Sequence, residues 1–175
     1  MKRIRYGVAM TLDGFIAGPN GEADWIVSDP DVNFAEIWAQ FDTLLMGRLT
    51  YAAAVARLGE SSMQGQGHKL VIVSRTLKPL DHPNATIISD LTQSQLQALR
   101  AGPGKKDIWL MGGGQLFHSP LAMHQVDTVE VSIMPVVLGA GIPLLPPPAE
   151  SAQLKLTSHK IYRSGIVSLV YEVKK

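Results

Sequence analysis

The chain has 175 residues, a formal net charge of +1 and no cysteine, so it fits one domain, residues 1–175, able to bury roughly 70% of the surface its unfolded form exposes. Near-neutrality without a basic run removes the electrostatic case for nucleic acid or acidic membranes. The lack of cysteine removes disulfides, thiolate nucleophiles and zinc–thiolate sites together.

Ile4 to Met10 is a short first strand. Thr11 to Trp25 follows as a glycine-containing loop with a Pro19-Asn20-Gly21 turn signal, and its Phe15, Ile16 and Trp25 argue against disorder. Phe34, Ile37, Trp38 and Phe41 recur at helical spacing, which predicts an amphipathic helix, with Asn33 and Glu36 spaced as a capping box. Thr43 to Met46 is a buried strand. It runs through the elbow Gly47-Arg48-Leu49-Thr50 into a second helical pattern at Tyr51, Ala54, Val55 and Leu58. A polar loop spans Gly59 to Gly67. Lys69 to Val73 is a strand that meets Ser74-Arg75 at once, and Ala85 to Ile88 is another. Thr92 and Gln95 cap a helix to about Arg100, which Gly102-Pro103-Gly104 ends.

Ile108 to Met111 then breaks into Gly112, Gly113 and Gly114 and resumes as a helical segment carrying Leu116, Phe117, Leu121 and Met123. Val126 to Met134 is a long strand. Pro135 to Pro148 is too rich in proline and glycine for regular structure, although its Leu144 and Leu145 are expected to pack. Leu154 to Tyr162 and Ile166 to Val173 form a hairpin around Arg163-Ser164-Gly165. Eight strands alternating with four helices predict an α/β domain, its mixed sheet covered by helices on both faces and closed at one edge by an antiparallel hairpin. No run approaches the roughly 18 apolar residues that span a bilayer, and the N-terminus lacks a signal segment. A soluble, cytoplasmic protein is expected.

Three strands end in groups suited to anions: Gly47-Arg48-Leu49-Thr50, Ser74-Arg75 and the glycine triplet. In parallel α/β sheets ligands gather at the carboxyl ends of the strands, and helix starts offer unpaired N–H groups to phosphate. Arg48 and Thr50 suit a pyrophosphate, and Ser74 and Arg75 a separate phosphate such as the 2′-phosphate of NADPH. Each arginine alone reads more simply as a solvated or salt-bridged surface residue; three such strand ends at matched positions make the ligand reading. A Gly-x-Ser-x-Gly elbow and a P-loop are both absent, which sets aside the commonest hydrolase and the P-loop nucleotidase. The five histidines show no ligand spacing, so no required metal is expected.

Met46-Gly47-Arg48-Leu49-Thr50-Tyr51, Val73-Ser74-Arg75 and Met111-Gly112-Gly113-Gly114-Gln115-Leu116-Phe117 resemble, in order and spacing, the cofactor motifs of the dihydrofolate reductase superfamily. Ala9 to Ala17 with Trp25-Ile26, and Pro135 to Pro143, are more similar to the reductase domain of the riboflavin-biosynthesis deaminase-reductase. The resemblance covers nearly the whole chain. It implies a dihydrofolate reductase-like three-layer α/β/α fold with a mainly parallel eight-stranded sheet, NADPH as cofactor, and a homodimer to which Leu138 to Pro148 could contribute. By the same resemblance Ala9 and Ile16 would hold the nicotinamide carboxamide through their backbones, while Gly47, Arg48 and Thr50 would hold the pyrophosphate. Ser74 and Arg75 would hold the 2′-phosphate. Gly112, Gly113, Gly114, Gln115 and Leu116 would line the dinucleotide, with a cis peptide between the first two glycines.

Met111 stands where the riboflavin reductase has a substrate-binding glutamate, and no deaminase zinc pattern is present. A reductase still needs a proton source, a carboxylic acid or a positioned water. For catalytic contact with the substrate, Asp13 is the first candidate and Asp31 the second, although Asp13 before Gly14 reads as well as a turn residue. Glu36 is a candidate for substrate contact or a mere cap. Trp25 could stack on a flat heterocycle or simply pack in the core. The reading is an NADPH-dependent reductase of a small pterin-like or aminopyrimidine-like heterocycle. The alternative is a catalytically silent NADPH-binding or dimerising module of the same fold.

Overall fold

The computed structural model describes residues 1–59, 62–63 and 67–174. In chain order the elements are β1 (Ile4–Thr11), β2 (Phe15–Ala17), α1 (Phe34–Trp38), β3 (Phe41–Gly47), α2 (Arg48–Leu58), β4 (Lys69–Val73) and β5 (Ala85–Ile88). There follow α3 (Gln93–Ala101), β6 (Asp107–Gly112), α4 (Gly114–Ala122), β7 (Thr128–Met134), β8 (Ile142–Pro143), β9 (Leu154–Ile161) and β10 (Val167–Val173). Most of the loop expected over Gly59 to Gly67 lies outside the described residues.

An eight-stranded sheet runs in the order β5-β4-β3-β6-β1-β7-β10-β9. Every neighbouring pair from β5 to β7 is parallel, and β10 pairs antiparallel with both β7 and β9. The two-residue period of a strand sends alternate side chains to opposite faces, and the sequence of β3 uses it directly. Leu45 joins Tyr6, Leu110, Leu96 and Phe117 on the face covered by α3 and α4. Leu44 and Met46 join Tyr51, Leu70 and Ile72 on the other, with Trp38 of α1 and Ala54 of α2 packed against them. Helices on both faces of a mixed, mainly parallel sheet make the expected three-layer fold.

Thr92 caps α3 with the full reciprocal box, its side chain receiving the Gln95 N–H while Gln95 receives that of Thr92. At α1 the Asn33 side chain accepts from the Glu36 N–H. That helix stops after five residues, and Phe34 is 59% exposed. Phe41, expected on its apolar face, instead begins β3, stacking on Trp109 at 5.0 Å with the Arg5 guanidinium 4.6 Å from its ring centroid. Its i+7 spacing is genuine, but the aromatic contacts that bury it belong to the sheet.

A second departure lies in the Pro135 to Pro148 stretch, where no regular structure was expected. Ile142–Pro143 pairs antiparallel with Phe15–Ala17 of the first loop, making a small second sheet. Each strand is too short to show a period, and proline is tolerated at such an edge.

Candidate functional site

The parallel strands β1, β3, β4, β6 and β7 bring their carboxyl ends to one side of the sheet. β1 and β6 do not stay together there. Their pairing ends at Tyr6↔Leu110, whereas β1 continues beside β7 to Thr11↔Met134. At the parting, the Trp109 indole N–H donates to the Gly7 carbonyl at 3.0 Å. A Cβ on Gly7 would lie 2.7 Å from that nitrogen, so only glycine admits the ring. From Gly7 onward the β6 side of β1 is without strand pairing, and Ala9 and Met10 border the cleft that results.

Glycines keep the far wall of this cleft bare. A Cβ on Gly113 would sit 3.9 Å from Thr50 Oγ1 and 4.0 Å from Ile16 Cδ1, and one on Gly47 would sit 3.8 Å from the Gly112 carbonyl oxygen. Five of the residues expected at the cofactor, Ile16, Gly47, Thr50, Gly112 and Gly113, thus converge. Gly112 has φ 107°, a region that favours glycine, and the Gly112-Gly113 peptide is cis, as the resemblance implies.

Two helices begin at this wall, and neither has a side-chain cap: α2 starts from Gly47 and α4 from Gly113. The contrast is with α1 and α3, which Asn33 and Thr92 cap. Uncapped first-turn N–H groups at the positive end of the helix dipole suit a phosphate. Arg48 and Thr50 belong to the first turn of α2, with Arg48 exposed, so a cation and a hydroxyl stand beside those donors. A bare glycine cradle flanked by two open helix starts and an arginine fits the pyrophosphate of a dinucleotide.

Other expected residues are placed differently. Gly114 is buried, and a Cβ there would meet the Pro143 and Leu144 carbonyl oxygens at 2.7 and 2.9 Å. Its role in the structure is close packing under the 142–146 segment. Leu116 packs into the core, leaving only its backbone for a ligand, whereas Gln115 is exposed. Ser74 is buried, and its hydroxyl oxygen accepts the Thr76 and Leu77 N–H groups at 3.2 and 3.0 Å, shaping the turn after β4. Arg75 is exposed and binds the Asp90 carboxylate through both Nε and a terminal nitrogen.

Asp13 forms a clasp. Its carboxylate accepts from the Thr11 hydroxyl at 2.6 Å, from the Leu138 N–H at 3.1 Å and from the Gly139 N–H at 2.7 Å. The Thr11 hydroxyl above all, with those backbone donors, holds its carboxyl below the ordinary range. A carboxylate held in this way is poorly suited to give up a proton at neutral pH, so the geometry supports the turn reading over the acid.

Asp31 is exposed in the segment before α1. That segment is pinned across the sheet edge by Asp29, whose carboxylate accepts the N–H groups of Asp31 and of Ser164 in the β9–β10 turn, at 2.8 and 2.9 Å. Trp25 is half-buried, its indole N–H given to the Glu22 carbonyl at 3.0 Å, and Glu36 is exposed on α1. Sequence reasoning missed Gly7 with Trp109, Asp29 and Asp90. For Asp90 a signal existed: β4–β5 pairing in the register Val73↔Ile88 carries residues 75 and 90 to the same level. Among the described residues, no group of three or more histidine or acidic side chains converges as a metal site, and no helix is long and apolar enough to cross a membrane.

A three-layer sheet split between β1 and β6, with glycine elbows after β3 and β6, defines a dihydrofolate reductase-like protein of the riboflavin-reductase kind. The chain belongs to the RibD C-terminal domain family, which residues 2–168 match. It is 36% identical to the uncharacterized protein YyaP of Bacillus subtilis over 97% of this chain and 94% of that one. Among solved structures it is similar in fold to Acinetobacter baumannii RibD, with a TM-score of 0.77 and 20% identity over 100% of this chain and 59% of that one. It is also similar to a diaminohydroxyphosphoribosylaminopyrimidine deaminase/5-amino-6-(5-phosphoribosylamino)uracil reductase from Thermotoga maritima, with a TM-score of 0.68 and 15% identity over 99% of this chain and 57% of that one.

Proposed function

We propose that the protein is an NADPH-dependent reductase acting on a small flat heterocycle of the aminopyrimidine or pterin kind. The observation that carries this reading is the bare cleft between β1 and β6, walled by Gly47, Gly112 and Gly113 and flanked by two helices without side-chain caps. The first turns of α2 and α4, with Arg48 and Thr50, hold the pyrophosphate. Ala9 and Ile16 orient the nicotinamide through their backbones at the parted strand. When bound, the dinucleotide supplies a hydride.

In this reading the substrate lies at the cleft beside the nicotinamide, with Trp25, Asp31 and Glu36 as its proposed contacts. Hydride transfer requires the two rings to be held face to face with water excluded. With the Asp13 carboxylate engaged by Thr11, Leu138 and Gly139, the proton comes through Asp31 or a water positioned nearby. The fold of a uracil reductase supports an aminopyrimidine, while Met111 in place of a glutamate points to a substrate differing from the riboflavin precursor.

Calorimetry with NADPH tests the cofactor half. Arg48→Ala is expected to weaken binding about 10- to 150-fold, the range of one charge-assisted hydrogen bond. Wild-type affinity left unchanged by Arg48→Ala would remove the pyrophosphate assignment. Loss of reduced-nicotinamide absorbance with a pterin and aminopyrimidine panel tests the reaction; binding without consumption would favour the silent nucleotide-binding module.

A further inference from the structure

We propose that Asp90 is a specificity-determining residue: by holding Arg75 it keeps the subsite at the ends of β4 and β5 from strongly favouring a 2′-phosphate over a 2′-hydroxyl. The inference rests on the dinucleotide reading of the cleft and deepens it. Arg75 follows β4 directly, at the strand end beside Gly47 in the register Gly47↔Val73, so it belongs to the same side of the sheet as the glycine cradle. Alone it would be a free guanidinium waiting for a dianion. It is not alone, because Asp90 reaches it from the end of β5 and takes both Nε and a terminal nitrogen.

The Arg75 guanidinium in turn holds the Asp90 carboxyl below its ordinary range, so the pair is charged at neutral pH. Ser74 is fixed in the turn by the Thr76 and Leu77 N–H groups that its oxygen accepts, which leaves its hydroxyl proton to donate.

A 2′-phosphate entering this subsite must share the Arg75 guanidinium with Asp90 and lie beside a carboxylate of its own sign. A 2′-hydroxyl meets neither cost, and can donate to the same carboxylate. Acidic side chains select ribose hydroxyls over phosphates by this chemistry, and the arginine remains available to a phosphate at reduced advantage. Both members of the pair are solvent-exposed, so the interaction is modest in size. It tunes the preference without abolishing it.

The test is calorimetry on the full chain with adenosine 2′,5′-bisphosphate and AMP, which isolate this end of the dinucleotide, and with NADPH and NADH. Wild type is expected to prefer the 2′-phosphorylated member of each pair by less than about tenfold. Asp90→Asn is expected to tighten that member by about fivefold while leaving its partner unchanged or weaker, as follows from removing a competing surface carboxylate. In the Arg75→Ala background the same substitution is expected to give no gain. The inference is overturned if Asp90→Asn moves both members equally or neither, or if the gain survives without Arg75. NADPH binding with a silent Asp90→Asn would sink this inference alone. Failure of every nucleotide to bind would sink the cleft reading with it.

Discussion

At the scale of single residues, the site depends on carboxylates whose partners are far away in sequence. Asp13 ties the β1–β2 turn to Leu138 and Gly139, more than a hundred residues downstream. Its carboxyl is lowered from 3.8, first by the Thr11 hydroxyl and then by the two backbone donors. For a depressed carboxyl the sign is fixed: the clasp contributes fully above the unfolded value and is lost as pH falls through the lower folded one. The Leu138 and Gly139 amide resonances are therefore expected to titrate below pH 3.8. Asp13→Asn is expected to remove that titration and to speed amide exchange at both positions, as two-dimensional NMR would show. Titration at the ordinary aspartate value would mean that the carboxylate is free and still a candidate acid.

At the scale of elements, the start of α4 is where packing and site meet. Gly114 carries the helix under Pro143, Leu144 and Pro146, and β8 in that same segment pairs with β2, which holds Ile16 against the glycine wall. A methyl group at residue 114 has no room against two backbone oxygens, so the segment must shift. Gly114→Ala is expected to cost about 1–3 kcal/mol, the usual range for overpacking, read by urea denaturation. NADPH affinity is expected to fall as well, because Ile16 moves with the segment. A variant of wild-type stability and affinity would show that the 142–146 segment gives way freely. The capping pattern belongs to this scale too. Local side chains cap α1 and α3, whereas the first-turn donors of α2 and α4, which start at the glycine wall, have no side-chain cap.

At the scale of the whole molecule, the sheet ends unevenly. On one side β5 is the edge; on the other, β9 is exposed along its length, with Leu156 at 47% and Ile161 at 72%. A long exposed edge strand carrying apolar side chains is ordinarily covered or blunted. With Val137 at 66% exposed just before the 138–148 stretch expected to contribute to self-association, this supports the homodimer proposed from resemblance. Light scattering at micromolar concentration is expected to give twice the 19.0 kDa chain mass, and Ile161→Lys to lower it. A monomer mass for the unaltered chain would set the dimer aside.

Much of this was legible in the residues, because the forces that fix it are local. The capping box of Thr92 and Gln95 acts over three residues, and the glycine elbows after Met46 and Met111 need only a backbone open to unusual conformations. The eight strands of the main sheet followed from apolar runs of the right length, and the convergence of Gly47, Thr50 and Gly113 followed from parallel strands ending on one side. What the sequence left undecided was which partner each group would find. Phe41 fits a helical period, yet its burial against Trp109 assigns it to the sheet. Arg75 reads as a phosphate ligand until parallel pairing of β4 and β5 delivers Asp90 to it. Asp13 reads equally as a substrate contact and as a turn residue until Leu138 and Gly139 arrive. Local backbone preferences are written residue by residue, whereas the protonation and availability of a charged side chain depend on neighbours that only folding brings within hydrogen-bond range.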